Sequence, residues 1–160
     1  MGASASLGLN LNANVDLNEM ADQIVSAINS LDSDKYRDKS DTWLFFEGNG
    51  ATQEIVGSLP RYDAKYDDSR FDINAKDVSW FDNDEARSVL VQNAKAGDTL
   101  RVYDSPKAST SDDWTEISIK RDLSYMVIAT FEQSYENDLY KISFHRHNGL
   151  DGKVSRARNY

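Results

Sequence analysis

Cysteine is missing from all 160 residues of the chain. That absence excludes a disulfide framework, a thiolate zinc site and a cysteine nucleophile together. No apolar run approaches the length of a membrane span, and no signal-peptide h-region is present, so a cytoplasmic or a mature secreted protein is expected. Basic residues are the minority: 18 Lys and Arg against 27 Asp and Glu leave a net charge of −9. A surface of that sign argues against nonspecific binding to nucleic acid or to anionic lipid. It suits cation binding, and it suits solubility equally. The only two histidines, His145 and His147, fall on one face of an expected strand, yet a closed zinc or copper site needs two further ligands. Nucleophile elbow, phosphate loop, dinucleotide fingerprint and metalloprotease helix are all lacking, so no enzymatic activity is expected.

What is present divides at about residue 40. Residues 1–40 read as an extension: a strand, a helix and a linker. In the strand, Leu7, Leu9, Leu11, Ala13 and Val15 alternate with Gly8 and asparagines, a period of two. It is either an edge strand on the main sheet or a strand donated to a second subunit. Asp16 to Leu31 reads as an amphipathic helix with Asp16 as its cap and Glu19 completing a capping box. Its stripe is Leu17, Met20, Ile24, Ala27 or Ile28, and Leu31. Packing on the β domain is the default for that stripe, and self-association is the alternative, which makes residues 7–31 the candidate homo-oligomer contact. Met1-Gly2-Ala3-Ser4-Ala5-Ser6 matches an N-myristoylation pattern and is also an ordinary start.

Residues 41–160 read as one mainly β domain of short strands joined by turns. Expected strands are Thr42 to Glu47, Thr52 to Val56, a short one near Phe71–Ile73, Ser88 to Val91, Leu100 to Tyr103, Thr115 to Lys120, Tyr125 to Phe131, Leu139 to His145 and Lys153 to Arg158. In Tyr140, Ile142 and Phe144 the apolar face alternates with Lys141, Ser143 and His145, as a half-buried strand requires. Leu139 to Tyr160 is locally basic, which fits a contact with an acidic partner, a solvated face, or internal pairing with the Asp63 to Glu85 region.

One stretch is more specific. Asn83-Asp84-Glu85-Ala86-Arg87-Ser88 is an oxygen-rich turn that leads into an apolar strand. It resembles the (Asn/Asp)-(Asn/Asp)-x-x-(Ser/Thr)-Ser signature of the microbial βγ-crystallins, except that Arg87 stands at the hydroxyl position. Trp43-Leu44-Phe45-Phe46-Glu47-Gly48-Asn49-Gly50 looks like the opening hairpin of such a motif, with glycine supplying the left-handed turn. Leu100 to Pro106 would open a second motif and Asn148 to Arg156 would close it, aligning Asp151 with Asp84 and Ser155 with Ser88. The second motif would carry an inserted hairpin at Tyr125 to His145. The resemblance covers Asp41 to Asn159.

It implies a two-sheet Greek-key sandwich, often binding Ca2+ between one motif's signature turn and the other's opening hairpin. Carried over, Asn83 and Asp84 would face oxygens near Asp104 and Ser105, and Asp151 would face the Glu47 loop. Arg87 and Val154 would then occupy the hydroxyl positions, leaving at least one site weak or lost. Ser111-Asp112-Asp113-Trp114-Thr115 is a further oxygen cluster, for calcium or for an Asx turn. The candidate ligands are thus Glu47, Asn83, Asp84, Asp104, Asp112, Asp113 and Asp151, with turn formation and solubility as their alternative roles. The implied role is non-enzymatic, structural or protective. Self-assembly through residues 7–31, or a secreted toxin-like or inhibitor-like binding module, are the rival expectations.

Overall fold

The computed structural model describes residues 17–30 and 38–160, with side chains described for 22–29 and 38–160. The expected strand at Leu7 to Val15, the cap at Asp16 and most of the linker lie outside the described residues. Helix α1 is Leu17–Ser30. Ten strands follow: β1 Trp43–Gly48, β2 Thr52–Leu59, β3 Asp72–Asn74, β4 Ser88–Ala94, β5 Thr99–Tyr103, β6 Trp114–Ile119, β7 Leu123–Ile128, β8 Tyr135–Glu136, β9 Tyr140–His145 and β10 Arg156–Asn159.

They form two antiparallel sheets, a four-stranded one in the order β2-β1-β4-β7 and a six-stranded one in the order β3-β10-β5-β6-β9-β8. Each sheet therefore contains a strand from the other half of the chain. β3 lies between β2 and β4 in sequence but pairs with β10, and β7 from the second half pairs with β4. In both halves the last strand returns to lie beside the first, β4 beside β1 and β10 beside β5.

Alternation along the strands explains the cores. Trp43 and Phe45 of β1, Val89 and Val91 of β4, and Met126 and Ile128 of β7 join a cluster with Leu100, Val102, Ile117, Ile142 and Ala157 of the other sheet. Their neighbours Leu44, Phe46, Leu90 and Val127 point the other way, into a second cluster covered by Ile24 and Ala27 of α1. β1 is buried on both faces, which is why it reads as an unbroken apolar run instead of an alternating one. The middle of the expected helical stripe, Ile24 and Ala27, does pack as anticipated. The outer face of the six-stranded sheet carries charge: Arg101 and Glu116, directly opposite each other on β5 and β6, pair at 2.7 Å.

Two expectations are corrected. Tyr125 to His145 is not one inserted hairpin, because β7 belongs to the four-stranded sheet and only β8 and β9 are extra. His145 and His147 do not form a pair on one strand face. β9 ends at His145, whose ring stacks on Trp114 at 4.0 Å, while His147 lies in the turn beyond. Among the described residues no helix is long and apolar enough to cross a membrane.

Candidate metal centre

The site is built where the turn before β4 meets the turn before β10. Asp84 adopts φ +61°, and so does Gly152 in the second turn. Arg87 N–H donates to Phe46 O at 2.9 Å, and Ser155 N–H donates to Tyr103 O, also at 2.9 Å. Ser88 lies opposite Phe46 and Arg156 opposite Tyr103. Gly152 is thus the counterpart of Asp84, and Ser155 the counterpart of Arg87. The sequence alignment placed these one residue off: the hydroxyl position of the second turn holds Ser155 and not Val154, whose side chain is buried.

The first turn anchors the opening hairpin. Ser88 Oγ donates to Gly48 O at 2.5 Å and accepts from Ala51 N–H at 2.9 Å, so one hydroxyl folds the β1–β2 turn back over the sheet. Arg87 reaches outward from the same turn. Its Nε donates to Asp151 Oδ1 at 2.8 Å and its Nη1 to Glu47 O at 2.9 Å. Asp151 therefore does face the Glu47 loop, but across a guanidinium. Gly152 permits this twice over: its φ suits glycine, and a Cβ there would come within 2.6 Å of Arg87 Nη2.

On the other side the turns exchange contacts. Asp84 N–H donates to Val154 O at 3.1 Å, and Ser155 Oγ donates to Asp84 Oδ1 at 2.9 Å. Close by, carboxylate oxygens of Asp104, Asp112 and Asp113 lie within 4.8 Å of one another. Burial and then repulsion from Asp112, Asp113 and Asp84 push the Asp104 carboxyl above its usual range, with Lys153 opposing. Asp113 differs. Burial favours its protonated form, but backbone N–H groups of His147, Gly149 and Asn148 outweigh this and hold it below the ordinary value. Its oxygens are occupied by that loop, and Asp84, whose Oδ1 accepts from Ser155 Oγ, repels Asp104 but is not one of the three grouped carboxylates.

Asn83 does not join them. It lines a separate polar cleft of about 470 Å³ together with Glu47, Glu54 and Glu85, and its Oδ1 is buried with no hydrogen-bond partner among the described residues. The basic C-terminal stretch pairs internally, as one of its expected readings had it: Arg156 and Arg158 both bind Asp72. Sequence reasoning aligned Ser155 with Ser88 and so did not count its hydroxyl among the candidate ligands.

A second electrostatic feature was also missed. Asp41 lies in a cleft of about 620 Å³ lined by Asp38, Ser58, Arg61, Arg70 and Trp80. Burial pushes its carboxyl up to about 6; a Ser58 hydrogen bond opposes, Asp38 adds to the rise and Arg70 counters it. A folded value above the unfolded one gives stability that is full below the unfolded pKa and lost as pH rises through 6. Asp41→Asn is therefore expected to raise Tm at pH 8, by the equivalent of about 1 kcal/mol after allowance for its partial exposure. Melts at about pH 3, below the unfolded carboxylate value, should converge with wild type.

No protein-family model matches this chain, and neither the curated proteins nor the solved structures offer a match.

Proposed function

We propose that the chain is a non-enzymatic βγ-crystallin-like protein with a structural or protective role, built as a sandwich of two Greek-key motifs and stabilised by one calcium ion. The observation that carries this reading is the reciprocal strand exchange. In each half the fourth strand returns beside the first, the defining step of a Greek key, and the third strand crosses to the opposite sheet. β1 to β4 and β5, β6, β7 and β10 are then two copies of one arrangement, with β8 and β9 as an addition to the second.

Calcium takes six to eight oxygen ligands, mixing carboxylates, carbonyls, hydroxyls and water. Asp104 and Asp112, with Asp84 and Ser155 Oγ of the adjoining turns, would supply such a set, and the like charges around Asp104 favour a cation there. At the first turn Arg87 already provides the positive charge between Glu47 O and Asp151. One ion per chain follows, not two. A ligand that binds only the folded state at a hundredfold excess over Kd adds about 2.7 kcal/mol. Tm should therefore rise with calcium and fall back with EDTA, and titration calorimetry should give one site per chain. Asp84→Ala should abolish the heat, and Arg87→Ser should open a second site. An identical midpoint in calcium and in EDTA overturns the calcium part of this reading.

A further inference from the structure

Where the chain enters β1 it shares a cleft of about 620 Å³ with the end of β2 and the loops on either side of β3. That size falls in the range of small-molecule sites. None of the candidate calcium ligands is among its lining residues. Asp38 and Asp41 line it, and so does Trp80, which is half-buried and packs against the main core. Asp41 is half-buried and accepts a hydrogen bond from Ser58, itself only 3% exposed. Asp38 Oδ1 accepts from Ser40 N–H at 3.0 Å and from Ser40 Oγ at 2.7 Å. Two guanidiniums also line the cleft, and both are engaged elsewhere. Arg61 Nε donates to Asp98 Oδ2 at 2.9 Å, and Arg70 lies over the Tyr66 ring, 4.2 Å from its centroid.

The balance of charge points to a cation. Neither Asp38 nor Asp41 has an ion pair among the described residues, and Arg61 is neutralised by Asp98. Two carboxylates therefore stand against one guanidinium, Arg70, that no carboxylate among the described residues binds. Arg70 does not cancel them. Burial prevails over the Ser58 bond and, with Asp38 adding, pushes the Asp41 carboxyl up to about 6 despite Arg70. An anion would enter against both acids. Calcium needs about six to eight oxygens, and here one Asp38 oxygen is taken by Ser40 and an indole forms part of the lining. A protonated amine needs only a carboxylate or two, and an indole face attracts both a cation and the apolar body that carries it. We propose that this cleft binds a small organic cation, its ammonium group held by Asp41 and Asp38 and its apolar body against Trp80.

The cleft is separate from the metal centre, so the test is run on the full chain in EDTA. Phenethylamine, 2-phenylethanol and 3-phenylpropionate carry the same ring with a positive, a neutral or a negative end. Each is titrated into the 15N-labelled protein to roughly tenfold above a millimolar Kd. The Trp80 indole N–H signal, identified by its loss in Trp80→Phe, reports on the cleft. At about pH 8 the amine should shift it saturably, and the alcohol and the carboxylate should not. An aliphatic amine stays protonated well below that pH, whereas Asp41 loses its charge below about 6. Amine affinity should therefore fall roughly tenfold by about pH 5. Asp41→Asn should weaken binding roughly tenfold or more at about pH 8 and flatten this pH dependence. Arg70→Gln removes the opposing charge and should tighten binding. An amine that gives no saturable shift overturns the proposal, as does an equal response to the alcohol or the carboxylate. So does unchanged affinity in Asp41→Asn, or weaker binding in Arg70→Gln.

Discussion

Truncating Phe81 to alanine is expected to cost about 3–5 kcal/mol, a fall in Tm of roughly 10 °C for a chain of this size. Phe81 is 1% exposed and comes from the loop between β3 and β4, not from a strand. Its ring meets Phe45 edge-on at 4.8 Å and fills the space over Gly57, where a Cβ would fall 2.2 Å from the ring. Immediately after it, Asp82 N–H donates to Val56 O at 2.7 Å, so the ring is held where it enters the core. Gly57→Ala should also destabilise, by pressing on this ring. In the background of Phe81→Ala the added methyl enters the vacated space, so the double variant should be more stable than the sum of its parts predicts. Chemical denaturation of the four proteins measures the coupling. Strict additivity would mean that Phe81 and Gly57 do not share that space.

Asp113→Ala is the second large effect. Asp113 Oδ1 accepts from His147 N–H and, at 3.1 Å, from Asn148 N–H, so one buried carboxylate holds the loop after β9. Charge-assisted bonds of this kind contribute about 1.5–3 kcal/mol each, and both are lost with the carboxylate. A loss of about 3 kcal/mol is expected. The same carboxylate gives an acid limb. Its folded pKa is depressed, so its contribution is complete above the unfolded carboxylate value and disappears as pH falls through the folded one. The stability difference between wild type and Asp113→Ala should therefore shrink below about pH 4. Urea melts at neutral and acidic pH check both parts, and a constant difference would remove the linkage argument.

Much of the fold was legible because it is written locally. The buried run Trp43 to Phe46, the alternation in Tyr140 to His145 and the short strand beside Phe71 each carry a pattern that short-range rules read. The oxygen-rich turn at Asn83 to Ser88 was equally plain. Partner choice was not. Assigning β7 to an extra hairpin failed because nothing within Leu123 to Ile128 says which distant strand it will lie against. The second turn was read one residue off because its final position holds Arg156 where the first holds Ser88, removing the landmark that fixes the register. Arg87 was visible as a departure from the pattern. Its bond to Glu47 O depends on a hairpin forty residues away, which local rules do not place.

The position of β10 bears on how the molecule is made. A ribosome delivers β3 and β5 long before the strand that separates them, and β10 hydrogen-bonds to both. Until Arg156 to Asn159 emerge, two strand edges stay open and sticky, so a polypeptide halted before Arg156 is exposed to wrong pairing. Completion of the six-stranded sheet, and with it the sealing of the shared core, is tied to the arrival of those four residues.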